Sequence, residues 1–401
     1  MIPAYSSAGR RSGSMTEPGI AAFAAVAYGL GERGGIVRLL FLTVSRMRGQ
    51  GGKESALEMV ARGLEGRGHA VAVAFVGPSQ ERAWEGRLPR LYVGAFPVTW
   101  RSARQRPLAA LGLVMRAIRE ERPEAIVVTE PGGVIMVRTA CTLARLPVPR
   151  LVSWLHGDVD RNSFPGSLYR CAGHLAISSG IAEQLRARAC PTAPVWTVYN
   201  PIPDPGVMTP RPRRDEPPVF VFCGRVEPQK RLDRLLHILA RIRDIPWRLQ
   251  VVGDGTLRPR MQALAEQLSV GARIVWHGWL PDPWTVITTA SAVLMTSDSE
   301  GFPMVLLEAG ARGIPVVAMD CRFGPSEIIQ QGRTGWLVPF GDDDAFATLL
   351  RELCLGKRIM PVPELVRAGV TRFTAPRVLD SIEEALRAVV GFGGSSGGGT
   401  P

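Results

Sequence analysis

Two glutamates stand close together in the run Ser297-Asp298-Ser299-Glu300-Gly301-Phe302-Pro303-Met304-Val305-Leu306-Leu307-Glu308. The apolar stretch 292–296 before it reads as a strand. Pro303 sits where a helix would begin, a position that tolerates a missing N–H. Glu300 then lies in the loop at a strand's carboxyl end, and Glu308 on the second turn of the following helix. Backbone N–H groups at such a helix start can hold a phosphate. Carboxylates beside it can accept pairs of vicinal hydroxyls, as sugars and ribose offer. The plainer reading makes Glu300 a solvated loop residue and Glu308 a solvated helix face. Against it, Glu308 interrupts an apolar helix, Met304–Ala311, where a charge without a partner is costly.

A second group, Gly224-Arg225-Val226-Glu227-Pro228-Gln229-Lys230, follows the apolar run Val219–Cys223. Two cations at the carboxyl edge of a strand suit the neutralisation of a diphosphate. The chain has 48 lysines and arginines, of which only Lys53, Lys230 and Lys357 are lysines. Lys230 therefore stands out where Arg225 does not. Trp154-Leu155-His156-Gly157-Asp158 puts a histidine at another strand end, where a functional role outweighs the usual structural one. Gly49-Gln50-Gly51-Gly52 is glycine-rich but is not G-x-G-x-x-G, and a simple turn explains it as well.

These loops need a scaffold, and strands alternate with helices twice along the chain. Strands read at 36–43, 70–76, 125–129, 151–155, 174–177 and 195–199, with helical segments between, predict an open parallel sheet covered on both faces. Seven prolines within 201–218 exclude a strand or helix and mark a linker. The alternation restarts at 219–223, 248–252, 274–276, 292–296 and 315–319. The expected fold class is α/β, with two Rossmann-like doubly wound domains facing a central cleft. The expected divisions are a poorly structured extension (1–35), a first domain (36–200), a second domain (201–375), and an isolated amphipathic helix with a Gly/Ser tail (376–401).

Composition narrows the function. With 401 residues and 46% hydrophobic content the chain is neither disordered nor collagen-like. Six scattered cysteines, with no C-x-x-C and no histidine at ligand spacing, exclude a zinc site or a disulfide framework, and no metal site is expected. Free thiols fit a reducing cytoplasm. The apolar stretch near 20–30 is too short to span a bilayer. Arg10-Arg11 lacks the context of an export signal, and translation from Met15 is an alternative start. The net charge of +12 is concentrated in residues 36–200, with 22 basic and 12 acidic side chains. No nucleic-acid motif accompanies that charge, so a membrane surface is the better partner. The segment 100–122 alternates arginines (Arg101, Arg104, Arg106, Arg116, Arg119, Arg122) with apolar residues; such a helix either lies on an anionic bilayer or packs one face on the sheet.

The spacing Gly-Arg-x4-Lys, then Val-Gly-Asp-Gly at 252–255, then Glu-Gly-Phe-Pro-x4-Glu-Ala-x2-Arg-Gly-x-Pro-Val-Val resembles the retaining nucleotide-sugar glycosyltransferases of family 4, which have the GT-B fold. The resemblance is specific across 219–340 and looser over 36–200. It implies that Arg225 and Lys230 bind the donor's diphosphate. Glu300 would contact the donor sugar beside the Gly301 and Phe302 amides and Pro303, and Glu308 would hold the ribose. Gly253, Asp254, His277, Gly278 and Leu280 would line the nucleoside. Gly51 and Gly52 resemble the family's glycine-rich loop, and His156 its donor-facing histidine, with Asp158 and Asp160 beside the acceptor. Gly310 and Arg312 depart from the common pattern and are expected to lie away from the carboxylates. The segment 320–329 is similar to a bacterial branch that builds lipopolysaccharide and other surface glycans, many of whose members use UDP-hexoses or UDP-N-acetylhexosamines. Glu327 there is equally a helix N-terminal charge or a ligand.

The implied activity is transfer of a hexose or N-acetylhexosamine from a nucleotide diphosphate sugar, UDP-linked, to a glycan or glycolipid. It would need no metal or cofactor and no nucleic acid. The place of work would be the cytoplasm, at the inner face of the plasma membrane. A same-fold sugar-nucleotide epimerase, or a non-catalytic basic protein binding lipid or nucleic acid, are the alternatives.

Overall fold

A computed structural model describes residues 35–45, 47, 51–77, 82–94, 107–162, 164–188, 193–203 and 206–391. The expectations placed on 1–34, Gly49, Gln50, Arg101, Arg104, Arg106, Cys190 and 392–401 lie outside these. The first domain runs β1 (Arg38–Thr43), α1 (Gly52–Gly66), β2 (Ala70–Phe75), α2 (Arg82–Glu85), β3 (Leu91–Val93), α3 (Pro107–Glu121), β4 (Ala125–Val128), α4 (Pro131–Ala144), β5 (Arg150–Leu155), β6 (Gly173–Ala176), α5 (Ser179–Arg188) and β7 (Val195–Thr197). The second runs β8 (Val219–Cys223), α6 (Leu232–Ala240), β9 (Arg248–Val252), α7 (Arg258–Gln267), β10 (Ile274–Gly278), β11 (Ala292–Met295), α8 (Met304–Ala311), β12 (Val316–Met319), α9 (Pro325–Ile328), β13 (Gly335–Val338), α10 (Asp343–Cys354) and α11 (Pro363–Gly369). A last helix, α12 (Ala375–Gly391), follows.

Every strand pair in both sheets is parallel, with orders β3-β2-β1-β4-β5-β6-β7 and β10-β9-β8-β11-β12-β13. Buried on both faces, these strands are nearly continuous apolar runs, such as Leu39-Leu40-Phe41-Leu42 and Ala125-Ile126-Val127-Val128. In each sheet the winding reverses between the first and fourth strands, β1/β4 and β8/β11. The loops leaving those strands diverge there and open a crevice at their carboxyl ends. The edge strands β3 and β13, of three and four residues, are not among the strands expected from the sequence.

The last helix is not isolated. It crosses back to the first domain and buries Val378, Leu379, Ile382, Ala385, Leu386 and Val389. Leu379 reaches the notch left by Gly63 on α1, and Val389 packs over Gly173 at the start of β6. Arg67 binds Asp380 (2.9 Å) and Glu383 (2.7 Å), and His69 meets Glu383 at 3.2 Å. An amphipathic helix must bury its apolar stripe, and the first sheet has that face to offer. The chain therefore crosses between the domains twice. An aromatic triad locks the crossings: Phe302 lies 5.2 Å from Tyr199 and 5.3 Å from Phe373, ring to ring.

Replacing Ile382, 1% exposed, by alanine should lower stability by about 2–4 kcal/mol through the lost burial and the cavity. Denaturant unfolding checks this; a helix merely appended to the fold would cost almost nothing.

Candidate functional site

Each crevice holds a lysine–glutamate pair, the lysine from the loop or helix start after the first strand and the glutamate from the loop after the fourth. In the second domain Lys230 Nζ donates to Glu300 Oε1 at 2.7 Å, with side chains 18% and 8% exposed. In the first domain Lys53, at the start of α1, pairs with Glu130, which sits between β4 and α4. Glu130 also accepts from Ser45 Oγ (2.6 Å), the Val44 N–H (3.0 Å) and Thr129 Oγ1 (2.9 Å). Burial alone would raise the Glu130 carboxyl, but Lys53 and these donors outweigh it and hold it at about 2. Two of the three lysines in the chain are thus committed to the two crevices. The sequence reading singled out Lys230 and passed over Lys53 and Glu130, although the scarcity of lysine applies equally to Lys53.

Lys230 and Glu300, assigned separate duties from the sequence, are bonded to each other. A diphosphate drawn to the lysine and a sugar held by the glutamate would therefore sit on adjacent atoms. Arg225 stands exposed on the same loop, without an ion-pair partner among the described residues. The loop's geometry depends on two glycines. Gly224 (φ 155°) passes close to the Lys230 side chain. Gly253 (φ 137°) abuts the Gly224 carbonyl so tightly that any Cβ would strike it.

Glu308 is half-buried, and burial pushes its carboxyl up; the Trp284 indole N–H, donating to Oε2 at 3.0 Å, opposes that shift. Arg312 stacks over the Trp284 ring at 4.6 Å and donates to the Glu308 carbonyl at 3.4 Å. Arg312 is therefore beside a carboxylate, contrary to the expectation, because four residues on a helix bring it back to the same face. Gly310 does lie elsewhere, packed on Val370. Trp284 gave no sequence signal, since nothing in its 3-10 turn points to Glu308.

The nucleoside-lining residues are less uniformly aimed. The loops meet where the Gly253 N–H donates to the Gly278 carbonyl (2.7 Å), and Leu280, half-buried, packs against the core. His277 turns to Gln250 of the neighbouring strand (3.2 Å), and Asp254 takes the Gly255 N–H and Arg258 (3.0 Å).

The two domains touch across the cleft through small residues. A Cβ on Gly301 would strike the carbonyl of His156, and one on Gly52 would lie 2.8 Å from Met304 Cγ, with Gly51 preceding it at the α1 N-cap. Burial first, then the Lys53 charge, press the His156 imidazole down to about 3, so it is neutral at ordinary pH. Both its ring nitrogens are buried without a partner. Asp158 is not free for an acceptor. It binds Gln184 (2.8 Å) and, across the cleft, Arg322 (3.1 Å). Glu327 accepts the Ser179 N–H at 2.9–3.0 Å, capping α5 from the other domain. Among the described residues no group of acids, histidines and cysteines could hold a metal ion, and no helix is long and apolar enough to cross a membrane.

Two facing parallel-sheet, Rossmann-like domains are the architecture of GT-B glycosyltransferases. The family model described as "Glycosyl transferases group 1" matches residues 208–381, and "Glycosyltransferase Family 4" matches 50–204. A lipopolysaccharide 1,6-galactosyltransferase of Escherichia coli (strain K12) is 32% identical over 279 residues, 68% of this chain and 77% of that protein. The Salmonella typhimurium enzyme of the same name is 39% identical over 213 residues, 52% of this chain and 59% of that protein. The lipopolysaccharide outer core galactosyltransferase WaaB in its apo form superposes with a TM-score of 0.74 at 26% identity, covering 87% of this chain and 99% of that one. This chain belongs to that glycosyltransferase family, and it is an enzyme of the transferase class.

Lys230→Met and Glu300→Gln should each reduce kcat/KM, and the double variant should lose less than the sum, by about 1–3 kcal/mol of coupling. Steady-state kinetics on the four proteins measure it; additive losses would mean the pair acts as two independent groups.

Nucleoside diphosphate affinity should also weaken on acidification, starting above the usual glutamate range. If Glu308 accepts ribose hydroxyls as an ionised carboxylate, its raised pKa makes it lose that capacity earlier on the way down than an ordinary glutamate would. Calorimetric titration of the wild type and Glu308→Gln checks the sign: the variant should retain only the ligand's own pH dependence.

Proposed function

We propose that this enzyme transfers a hexose, galactose foremost, from a UDP-linked donor to a lipopolysaccharide core or similar lipid-carried surface glycan, with retention at the anomeric carbon. The observation that carries the reading is the Lys230–Glu300 pair beside the start of α8, which joins a phosphate-binding cation to a hydroxyl-binding carboxylate. The names of the relatives support the galactosyl donor and the lipopolysaccharide acceptor.

In this reading the donor enters the second domain first. Glu308 takes the ribose hydroxyls, while Arg225, Lys230 and the backbone at the α8 N-terminus take the diphosphate. These cations neutralise the leaving group without a metal. As the diphosphate draws Lys230 away, Glu300 is released to hold hydroxyls of the sugar. Contact of Gly301 with the His156 carbonyl brings the first domain onto the sugar and excludes water. His156, neutral and with both nitrogens unpartnered, hydrogen-bonds the sugar and does not supply a proton. The acceptor hydroxyl approaches on the diphosphate's own face. Its proton passes to the departing phosphate oxygen as the new C–O bond forms and the old one breaks. No carboxylate is assigned to the opposite face, so no covalent glycosyl-enzyme forms. The work takes place in the cytoplasm, at the inner face of the membrane that carries the acceptor.

The product of an α-linked donor should be an α-glycoside, assigned by NMR of the new linkage. His156→Ala should slow turnover by about 10²-fold or more without trapping a covalent intermediate. A β-linked product would overturn the retaining mechanism.

A further inference from the structure

Between Pro131 and Ala182 the sequence contains five arginines and only two acids, Asp158 and Asp160. Both acids are taken up by ion pairs: Asp158 with Arg322, and Asp160 with Arg188 at 2.8 Å. Nothing comparable quenches the arginines farther along this face. Arg138 on α4, Arg150 at the start of β5 and Arg170 in the 3-10 turn Pro165–Arg170 line a surface hollow of about 380 Å³, together with Val148 and Tyr169. No acidic residue lines it. Arg138, Arg145, Arg150 and Arg170 have no ion-pair partner among the described residues. Large apolar side chains stand exposed around them: Leu143 is 61% and Tyr169 55% accessible, with Ile135 and Val148 alongside. Unquenched cations interleaved with exposed apolar groups are what a phosphate-bearing lipid surface complements.

The segment first expected to meet a membrane is less suited. In α3 the apolar residues Ala110, Val114, Ala117 and Ile118 are buried, and Arg116 pairs with Glu120 at 2.8 Å. The arginines at 101, 104 and 106 lie outside the described residues.

We propose that the face built from α4, the start of β5 and the Pro165–Arg170 turn docks onto an anionic lipid bilayer. Arg138, Arg145, Arg150 and Arg170 meet headgroup phosphates, while Leu143, Val148 and Tyr169 enter the interface. This deepens, and rests on, the reading of a lipid-carried acceptor. The hollow lies at the amino ends of the strands, whereas the cleft lies at their carboxyl ends. Six-residue β5 separates the two by about 20 Å. A bilayer at the hollow would therefore hold its lipids a strand's length from the cleft, a gap that a glycan of several sugars spans.

The test is co-sedimentation of the full chain with vesicles of phosphatidylcholine alone or mixed with phosphatidylglycerol, without nucleotide sugar. Binding should require phosphatidylglycerol and weaken with salt. An arginine near an anionic surface is worth about fivefold in partitioning, so Arg138→Gln/Arg170→Gln should lose about 25-fold. Leu143→Ser/Tyr169→Ser should also bind less. Arg243→Gln/Arg248→Gln, which removes equal charge from the exposed surface of the second domain, should change little. Thermal unfolding of each variant verifies the fold. Equal losses in both arginine pairs, no dependence on phosphatidylglycerol, or binding to a DNA duplex in place of vesicles would overturn the proposal. Because no donor is present, such a failure leaves the transferase reading standing. Absent turnover with intact vesicle binding would instead remove that reading and spare the docking surface.

Discussion

Between Gly301 and the carbonyl of His156 there is no room for a single side-chain carbon, and the geometry of the whole cleft depends on that contact. It sets how closely the carboxyl ends of the two sheets face each other. Gly52 against Met304 and Gly180 against Phe323 repeat the same device along the junction. Glycine backbone packed directly on a carbonyl or a side chain leaves little slack, so a group placed on one loop has a definite position relative to the other. The aromatic triad at the double crossing and the return of α12 to the first domain make this approach reproducible, since the chain is tethered at two points.

Inside that frame the charges are arranged so that closure is electrostatically tolerable. Two cations and two carboxylates approach in a partly dry space. Unpaired, each would resist desolvation. Paired as Lys53–Glu130 and Lys230–Glu300, they enter as two nearly neutral units. The pairs differ in what they can still do. Glu130 is saturated by a lysine, hydroxyls and a backbone N–H, which ties Val44 and Ser45 after β1 to Lys53 at the start of α1. Glu300 makes one hydrogen bond to Lys230, and both partners can turn to a ligand that offers an anion on one side and hydroxyls on the other. The second domain therefore supplies the exchangeable pair, and the first a fixed wall beside a neutral histidine.

Much of the site was legible in the residues alone. Parallel strands are buried on both faces, so they write themselves as uninterrupted apolar runs, and glycine, proline and charge at their carboxyl ends mark the crevice loops. That is a local code, and Glu300, Glu308, Arg225 and Lys230 could be placed by it, as could the restart of the pattern after the proline-rich linker. Lys53 carried the same signal of rarity and directly follows the glycine-rich Gly51-Gly52, but its partner Glu130 belonged to no motif and is 77 residues away. Whatever depended on such distant pairings was decided only by the tertiary structure. The bond between Lys230 and Glu300, the Trp284 donor to Glu308, the diversion of Asp158 to Arg322, and the packing of α12 on Gly63 all join residues that sequence spacing does not relate. Hydrophobic periodicity says that a helix has a face to bury; it does not say against which sheet. Charge composition says that the first domain is basic; only the fold shows which arginines are quenched by acids and which remain open to solvent.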